Sequence, residues 1–166
     1  PERTTTASLD ARTAKEQCVC TEGFFYAHEN FTQGRAECIP LGRSEATQCC
    51  TCPVGTGCQS NFMAEGQISL ERLPITPGYF RLGNDNADVR RCPDADANCS
   101  GLSECLGTTS GCAGGRGQGE DTCRPGLTGT YCRACVEPAH FYVAAVAGYS
   151  NASFAHCESC HNVAAS

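Results

Sequence analysis

Apolar residues in this chain come in short bursts and never form a long periodic face. Phe24, Phe25 and Tyr26 follow Gly23, and Tyr79 and Phe80 follow Pro77-Gly78. The longest apolar-leaning run, Phe141 to Tyr149, is interrupted by Gly148. It falls well short of the ~18 consecutive apolar residues of a membrane-spanning helix. The clearest strand signal lies in Leu70 to Arg91. Pro74 and Pro77 predict an extended approach. Tyr79 to Leu82 and Asp88 to Arg91 then predict a hairpin around Gly83-Asn84-Asp85-Asn86, residues that tolerate positive φ. The Gly-rich stretch Gly107 to Gly119 predicts loop. Ala7 to Gln17 is the one candidate for a short helix, and few apolar residues are there to anchor it.

Composition turns this weak patterning into a fold class. Leu, Ile, Val and Phe number 25 of 166 residues, below the roughly 20 % at which a chain struggles to bury an apolar core. Net charge is only −6, so repulsion does not account for the deficit. Sixteen residues are Cys, a density above the ~8–10 % that marks a disulfide scaffold. Cross-links are therefore the expected source of order. The expected fold is small and disulfide-rich, with short β-hairpins, mostly loop and little helix.

The cysteines fall into three clusters. The first holds Cys18, Cys20, Cys38, Cys49, Cys50, Cys52 and Cys58; the second Cys92, Cys99, Cys105 and Cys112; the third Cys123, Cys132, Cys135, Cys157 and Cys160. The outer clusters have odd counts, so complete internal oxidation requires at least one bridge between clusters. These boundaries predict an N-terminal linker or docking arm (1–17), a Cys-rich module (18–66), a middle module of hairpin and Gly-rich loop (67–119) and a third module (120–166).

Charge and motifs exclude several functions. The acidic balance, the single Lys15 and the scattered arginines argue against nucleic acid, whose binders carry basic patches. No phosphate-binding Gly-rich loop appears. Three N-x-[ST] acceptors, at Asn30, Asn98 and Asn151, agree with a secretory route and N-linked glycans. The start at Pro1, without Met or an apolar leader, reads as a processed chain or a stretch of a longer one.

The third cluster carries the most specific motif. Cys123-Arg-Pro-Gly-Leu-Thr-Gly-Thr-Tyr-Cys132-Arg-Ala-Cys135 resembles the C-x-x-G-x-x-G-x-x-C-x-x-C core of laminin-type EGF-like repeats. Gly126 and Gly129 permit tight turns with positive φ that bring the flanking cysteines within bridging range. The resemblance implies a Cys123–Cys132 bridge, with Cys135 closing on Cys157 or Cys160. Upstream, Cys20-Thr-Glu-Gly-Phe-Phe-Tyr resembles the openings of EGF-like, ephrin-receptor-type and tumour-necrosis-receptor-type Cys-rich modules. Cys49-Cys50-Thr-Cys52-Pro-Val-Gly-Thr-Gly-Cys58 is similar to their C-x-x-C-P-x-G-x-x-C segments. The run from Leu73 to Gly101 is similar to Cys-rich ectodomains in surface proteins of algae and other protists. The adjacent Cys49-Cys50 pair and the extra Cys105 and Cys112 depart from these patterns. The resemblance implies architecture and an extracellular location, and no catalytic activity.

Other constellations compete with this reading. Cys132-x-x-Cys135 with Cys157-x-x-Cys160 has the spacing of a four-thiolate zinc site, but an oxidising compartment converts such thiols to disulfides. Cys157-Glu-Ser-Cys160-His161 matches the c-type haem attachment pattern, without an apolar pocket to cover a macrocycle. Asp94-x-Asp96-x-Asn98 opens like a calcium loop, but Cys99 and Cys105 stand where Gly and Glu are needed; Asp94 and Asp96 remain candidate oxygen ligands against a solvated acidic turn. His28, His140, His156 and His161 lack a surrounding catalytic motif. Phe24, Phe25, Tyr26, Phe62, Tyr79, Phe80, Phe141 and Tyr142 are expected to cover disulfides as small local cores.

The sequence therefore predicts no enzyme, no cofactor and no metal. The expected function is a glycosylated extracellular spacer or assembly unit of a larger surface or filament protein, such as a flagellar hair. Its partners would be other modules of the same long chain or neighbouring copies, with glycans as a further contact class. The alternative is a ligand- or glycan-binding receptor ectodomain. Each bridge contributes about 2–4 kcal/mol, so excess reductant is expected to abolish cooperative unfolding. Near-ultraviolet circular dichroism through a thermal ramp, with and without reductant, checks this; a cooperative transition in the reduced chain contradicts it.

Overall fold

The computed structural model describes residues 4–6, 18–28, 31, 37–40, 47–58, 68–95, 108–146 and 153–165. The candidate helix across Ala7 to Gln17, the glycan acceptors Asn30, Asn98 and Asn151, Phe62, Asp96, Cys99, Cys105 and the Cys18 side chain lie outside the described residues.

Short antiparallel strands and 3-10 turns make up the regular structure among these residues. Near the N-terminus, β1 (Thr4–Thr6) pairs with β2 (Cys18–Cys20). Strands β3 (Phe24–His28), β4 (Cys38–Pro40) and β5 (Thr47–Thr51) form a sheet in the order β3-β5-β4. Alternation along β3 turns Phe25 and Ala27 inward, both almost fully buried, while His28 is exposed. The edge of β3 is closed by the chain itself. Tyr26 N–H donates to Ile68 O at 2.7 Å, and Leu70 N–H donates to Tyr26 O at 3.1 Å. Phe25, Ala27, Cys50, Cys58, Ile68, Leu70, Leu73 and Ala87 form one apolar core.

Adjacent Cys49 and Cys50 are explained by the same alternation. Neighbouring strand residues face opposite sides of a sheet, so the two sulfurs take different partners. Cys49 bridges Cys20, and Cys50 bridges Cys38, its direct cross-strand partner in β4. Cys52–Cys58 then closes the turn after β5.

The expected hairpin forms, with β6 (Tyr79–Arg81) against β7 (Val89–Arg91) in the register Tyr79↔Arg91, Phe80↔Arg90 and Arg81↔Val89. Its connection differs from expectation in one respect: Gly83 and Asn84 to Asn86 all keep negative φ. The loop is held instead by hydrogen bonds, from Asp88 N–H to Asn86 Oδ1 and from Asn84 N–H to Gln118 Oε1. The approach is extended, as the prolines predict. Ile75 pairs with Thr56 on one side and with Gly115 on the other.

This hairpin is wedged between two cores. Phe80 joins a second cluster with Cys92, Cys112, Leu127, Cys132 and Ala155. Arg81, the next residue, points the other way and is fully buried, while Leu82 is 71 % exposed. Arg81 Nη1 donates to Leu70 O at 2.7 Å and Nη2 to Glu71 O at 3.4 Å, and Nε has no partner. The segment 68–95 thus belongs to both cores, supplying Leu70, Leu73 and Ala87 to one and Phe80 and Cys92 to the other.

The Gly-rich stretch is loop, as expected; its first part, 108–112, is packed inside, while 113–119 is half-buried or exposed. Thr108, Thr109, Ser110 and Cys112 are all essentially buried. Gly114, at φ +74°, lies so close to the Ile75–Pro77 backbone that a Cβ would sit 2.6 Å from Ile75 O. Beyond the 3-10 turn Gly119–Thr122, β8 (Leu127–Thr128) pairs with β9 (Ala134–Cys135), and β10 (His140–Val143) pairs with β11 (His156–Ser159). The second core draws on residues both before and after position 120. Gly126 and Gly129 take φ of +83° and +72°. The non-glycine pair Tyr131 and Cys132 follows in the same left-handed region, at φ +59° and +56°. Such residues store strain that surrounding contacts must hold; the Cys123–Cys132 bridge and the Tyr131 ring against Phe80, centroids 5.4 Å apart, do so.

One expectation about sulfur is corrected. Cys160, expected in a disulfide, carries a free, exposed thiol, because Cys135 closes on Cys157. Among the described residues each bridge stays within its cluster, Cys92–Cys112 within the second. A bridge between clusters is required only if every thiol is oxidised, and Cys160 is free, while Cys99, Cys105 and the Cys18 side chain lie outside the described residues. Among the described residues the clusters are joined by packing of segment 68–95, together with the backbone bonds of Ile75 to Gly115 and of Arg124 to Gly111.

Gly114→Ala is expected to destabilise by about 2 kcal/mol or more, since it combines left-handed strain with a backbone clash. Arg81→Met is expected to cost about 1–3 kcal/mol by removing the two hydrogen bonds to Leu70 O and Glu71 O. Chemical denaturation of the oxidised chain measures both; loss below 0.5 kcal/mol, roughly the scale of a neutral surface change, contradicts the close approach or the pin.

Candidate functional site

No cluster of His, Cys, Asp and Glu able to hold a metal occurs among the described residues. The sulfurs of the zinc-like pattern are engaged otherwise: Cys132 with Cys123, and Cys135 with Cys157. The haem-like pattern keeps only one free thiol, Cys160. The histidines are dispersed. His156 is tied locally, with Nδ1 2.8 Å from Phe154 O and Nε2 3.1 Å from Glu158 Oε1, contacts that push its pKa up.

The chemically distinctive feature is a set of polar pins beside the disulfides, built on arginines. Arg124 lies where the Gly-rich loop meets the C-terminal hairpin. Its Nε donates to Ser110 O at 2.9 Å, its Nη2 donates to Thr108 O at 3.0 Å, and its guanidinium stacks 4.1 Å from the Phe154 ring centroid. Burial lowers its pKa, a change without effect on its charge at physiological pH. Alongside, Ala155 N–H donates to Thr109 O at 2.9 Å. The same few residues therefore satisfy the buried loop carbonyls and seat the hairpin.

The second pin uses Asp94, one of the candidate calcium ligands. Tyr142 Oη donates a short hydrogen bond to Asp94 Oδ2, and Arg133 Nε lies 3.4 Å from the same oxygen. The Arg133 guanidinium also lies 5.6 Å from the Tyr142 ring centroid. This clasp links the turn after Cys92 to β10. One oxygen of the carboxylate, Oδ2, thus meets both an intramolecular donor and a cation.

The aromatic residues follow the expected local-core pattern. Phe25 and Phe80 are buried, and Phe24, Tyr26, Tyr79, Phe141 and Tyr142 are half-buried. The exposed large apolar residues among those described are aliphatic, namely Val54, Leu82, Val136 and Val146. An open cleft of about 300 Å³ lies beside Cys52–Cys58, lined by Glu22, Gly23, Pro53 and Thr56. The Thr56 hydroxyl there donates to Pro53 O at 2.7 Å.

Sequence reading missed the arginine pins. Arg81 sits between Phe80 and Leu82, so strand alternation alone signalled that it faces away from Phe80. Nothing in the sequence marked that side as the buried one. Arg124, inside the laminin-like core, gave no local signal, because its acceptors lie 14 and 16 residues upstream.

Burial first, then the hydrogen bond to Asp94 and its negative charge, push the Tyr142 hydroxyl up to about 12, against an opposing effect of Arg133. Because the folded value lies above the unfolded one of about 10, the clasp stabilises fully below pH ~10 and is lost as pH rises toward ~12. Tyrosinate absorbance is expected to show one tyrosine titrating late, and Tyr142→Phe to remove that phase and about 1 kcal/mol of stability. A late phase that persists in the variant refutes the assignment.

No family model matches this chain, and comparisons with curated proteins and with solved structures likewise find no match.

Proposed function

We propose that this chain is a non-catalytic extracellular structural module, a disulfide-stapled and glycosylated spacer or assembly unit of a larger surface or filament protein. The single observation that supports this most is the wedging of segment 68–95 between two bridged cores, with Arg81 buried at the junction. An element shared by both cores resists bending at the joint, which is what a spacer needs. Among the described residues, no helix is long and apolar enough to cross a membrane. Extensive bridging is compatible with an oxidising, extracellular setting.

The spacer reading has a direct mechanical consequence. Closed disulfide loops withhold their residues from extension until sulfur is reduced. Pulling the chain by its ends is expected to give a short extension in oxidising buffer and a much longer one in reductant, by single-molecule force spectroscopy. Secretion from a eukaryotic cell is expected to yield glycan masses on Asn30, Asn98 and Asn151. Equal extension in both buffers, together with saturable binding of a glycan or small ligand that raises the melting temperature, would replace the spacer by a ligand-binding ectodomain.

A further inference from the structure

We propose that Cys135, Cys157 and Cys160 form a thiol–disulfide exchange centre coupled to the end of the β10–β11 hairpin. In each of the other five described bridges at least one cysteine is buried; Cys135–Cys157 is the bridge in which both are partly exposed. An exposed free thiol, Cys160, stands three residues beyond it. Attack on a disulfide requires an accessible sulfur and a nearby thiol, and among the described residues both are present here.

The hairpin gates the reaction. Ser159 pairs with His140, and the Cys160 N–H donates to Ala139 O at 2.9 Å, so the chain is extended up to the attacking residue. Three residues of strand separate Cα atoms by about 10 Å, beyond the ~7 Å limit for a disulfide. Cys160 therefore reaches Cys157 only when the Ser159–His140 pair and the Cys160–Ala139 bond open and the last turn contracts. Cys157 is the target and not Cys135, because closing a three-residue loop is the smaller entropic step.

The chemistry balances within the chain. The Cys160 thiolate attacks Cys157 Sγ, the Cys157–Cys160 bond forms and the Cys135–Cys157 bond breaks. The electron pair leaves on Cys135 Sγ, which takes up the proton that Cys160 lost. Nothing is oxidised or reduced overall. A 22-residue connection is exchanged for a short one, so the zipped hairpin favours the original pairing and opening favours the exchanged one. The hairpin end is thus a conformational switch recorded in sulfur, and it does not depend on the spacer reading.

The test uses the purified oxidised chain, incubated at about pH 8.5 to populate thiolates in urea below the global transition. Acid quenching, maleimide labelling and a non-reduced peptide map follow. Label is expected to move from Cys160 to Cys135, together with a Cys157–Cys160 peptide, rising about tenfold over the urea-free sample. The rate should be independent of protein concentration, and Cys160→Ser, which leaves all six described bridges intact, should show no Cys135 label. Label confined to Cys160, a Cys135–Cys160 bridge, Cys135 label in Cys160→Ser, or a rate that rises with concentration each overturns the proposal.

Discussion

The structure depends on one constraint: too few large apolar side chains are available to close an ordinary core, so covalent bridges must limit the unfolded chain before packing can succeed. The two clusters that do form are small and mix half-cystines with a few large apolar side chains, Phe25, Ile68, Leu70 and Leu73 in one and Phe80 and Leu127 in the other. Sulfur is at once cross-link and core filler, which suits its low polarity. A loop closed by a bridge loses entropy mainly in the unfolded state, so loops with little regular structure can remain ordered.

That ordering leaves backbone carbonyls buried without a sheet or helix to bond them. Arginine meets this need among the described residues. Its planar head carries several donors, so a single side chain serves two carbonyls, as Arg81 does for Leu70 and Glu71 and Arg124 for Ser110 and Thr108. Burying a cation with carbonyl dipoles in place of a carboxylate carries a desolvation penalty, visible in the lowered pKa of both residues. Each arginine sits where two parts of the chain meet and adds donors for backbone carbonyls there.

Glycine performs the complementary task. At Gly114 a side chain would strike the Ile75–Pro77 backbone, and at Gly111 it would strike Cys132 O at 2.6 Å. At these two positions glycine reflects close backbone approach. The left-handed pair Tyr131 and Cys132 shows the opposite solution, in which a bridge and an aromatic contact hold ordinary residues in a strained turn.

The sequence by itself determined the disulfide-rich, helix-poor character, the β6–β7 hairpin, and the positive-φ turns at Gly126 and Gly129. These follow from composition and from local rules that act over a few residues. Only the tertiary structure decided that Arg81 is buried while Leu82 is exposed, that Asp94 is clasped by Tyr142 and Arg133, and that Cys157 rather than Cys160 pairs with Cys135. Those outcomes rest on contacts between residues far apart in the chain. Local pattern fixes which faces a strand presents, whereas burial and sulfur pairing are settled by what the rest of the fold brings against them.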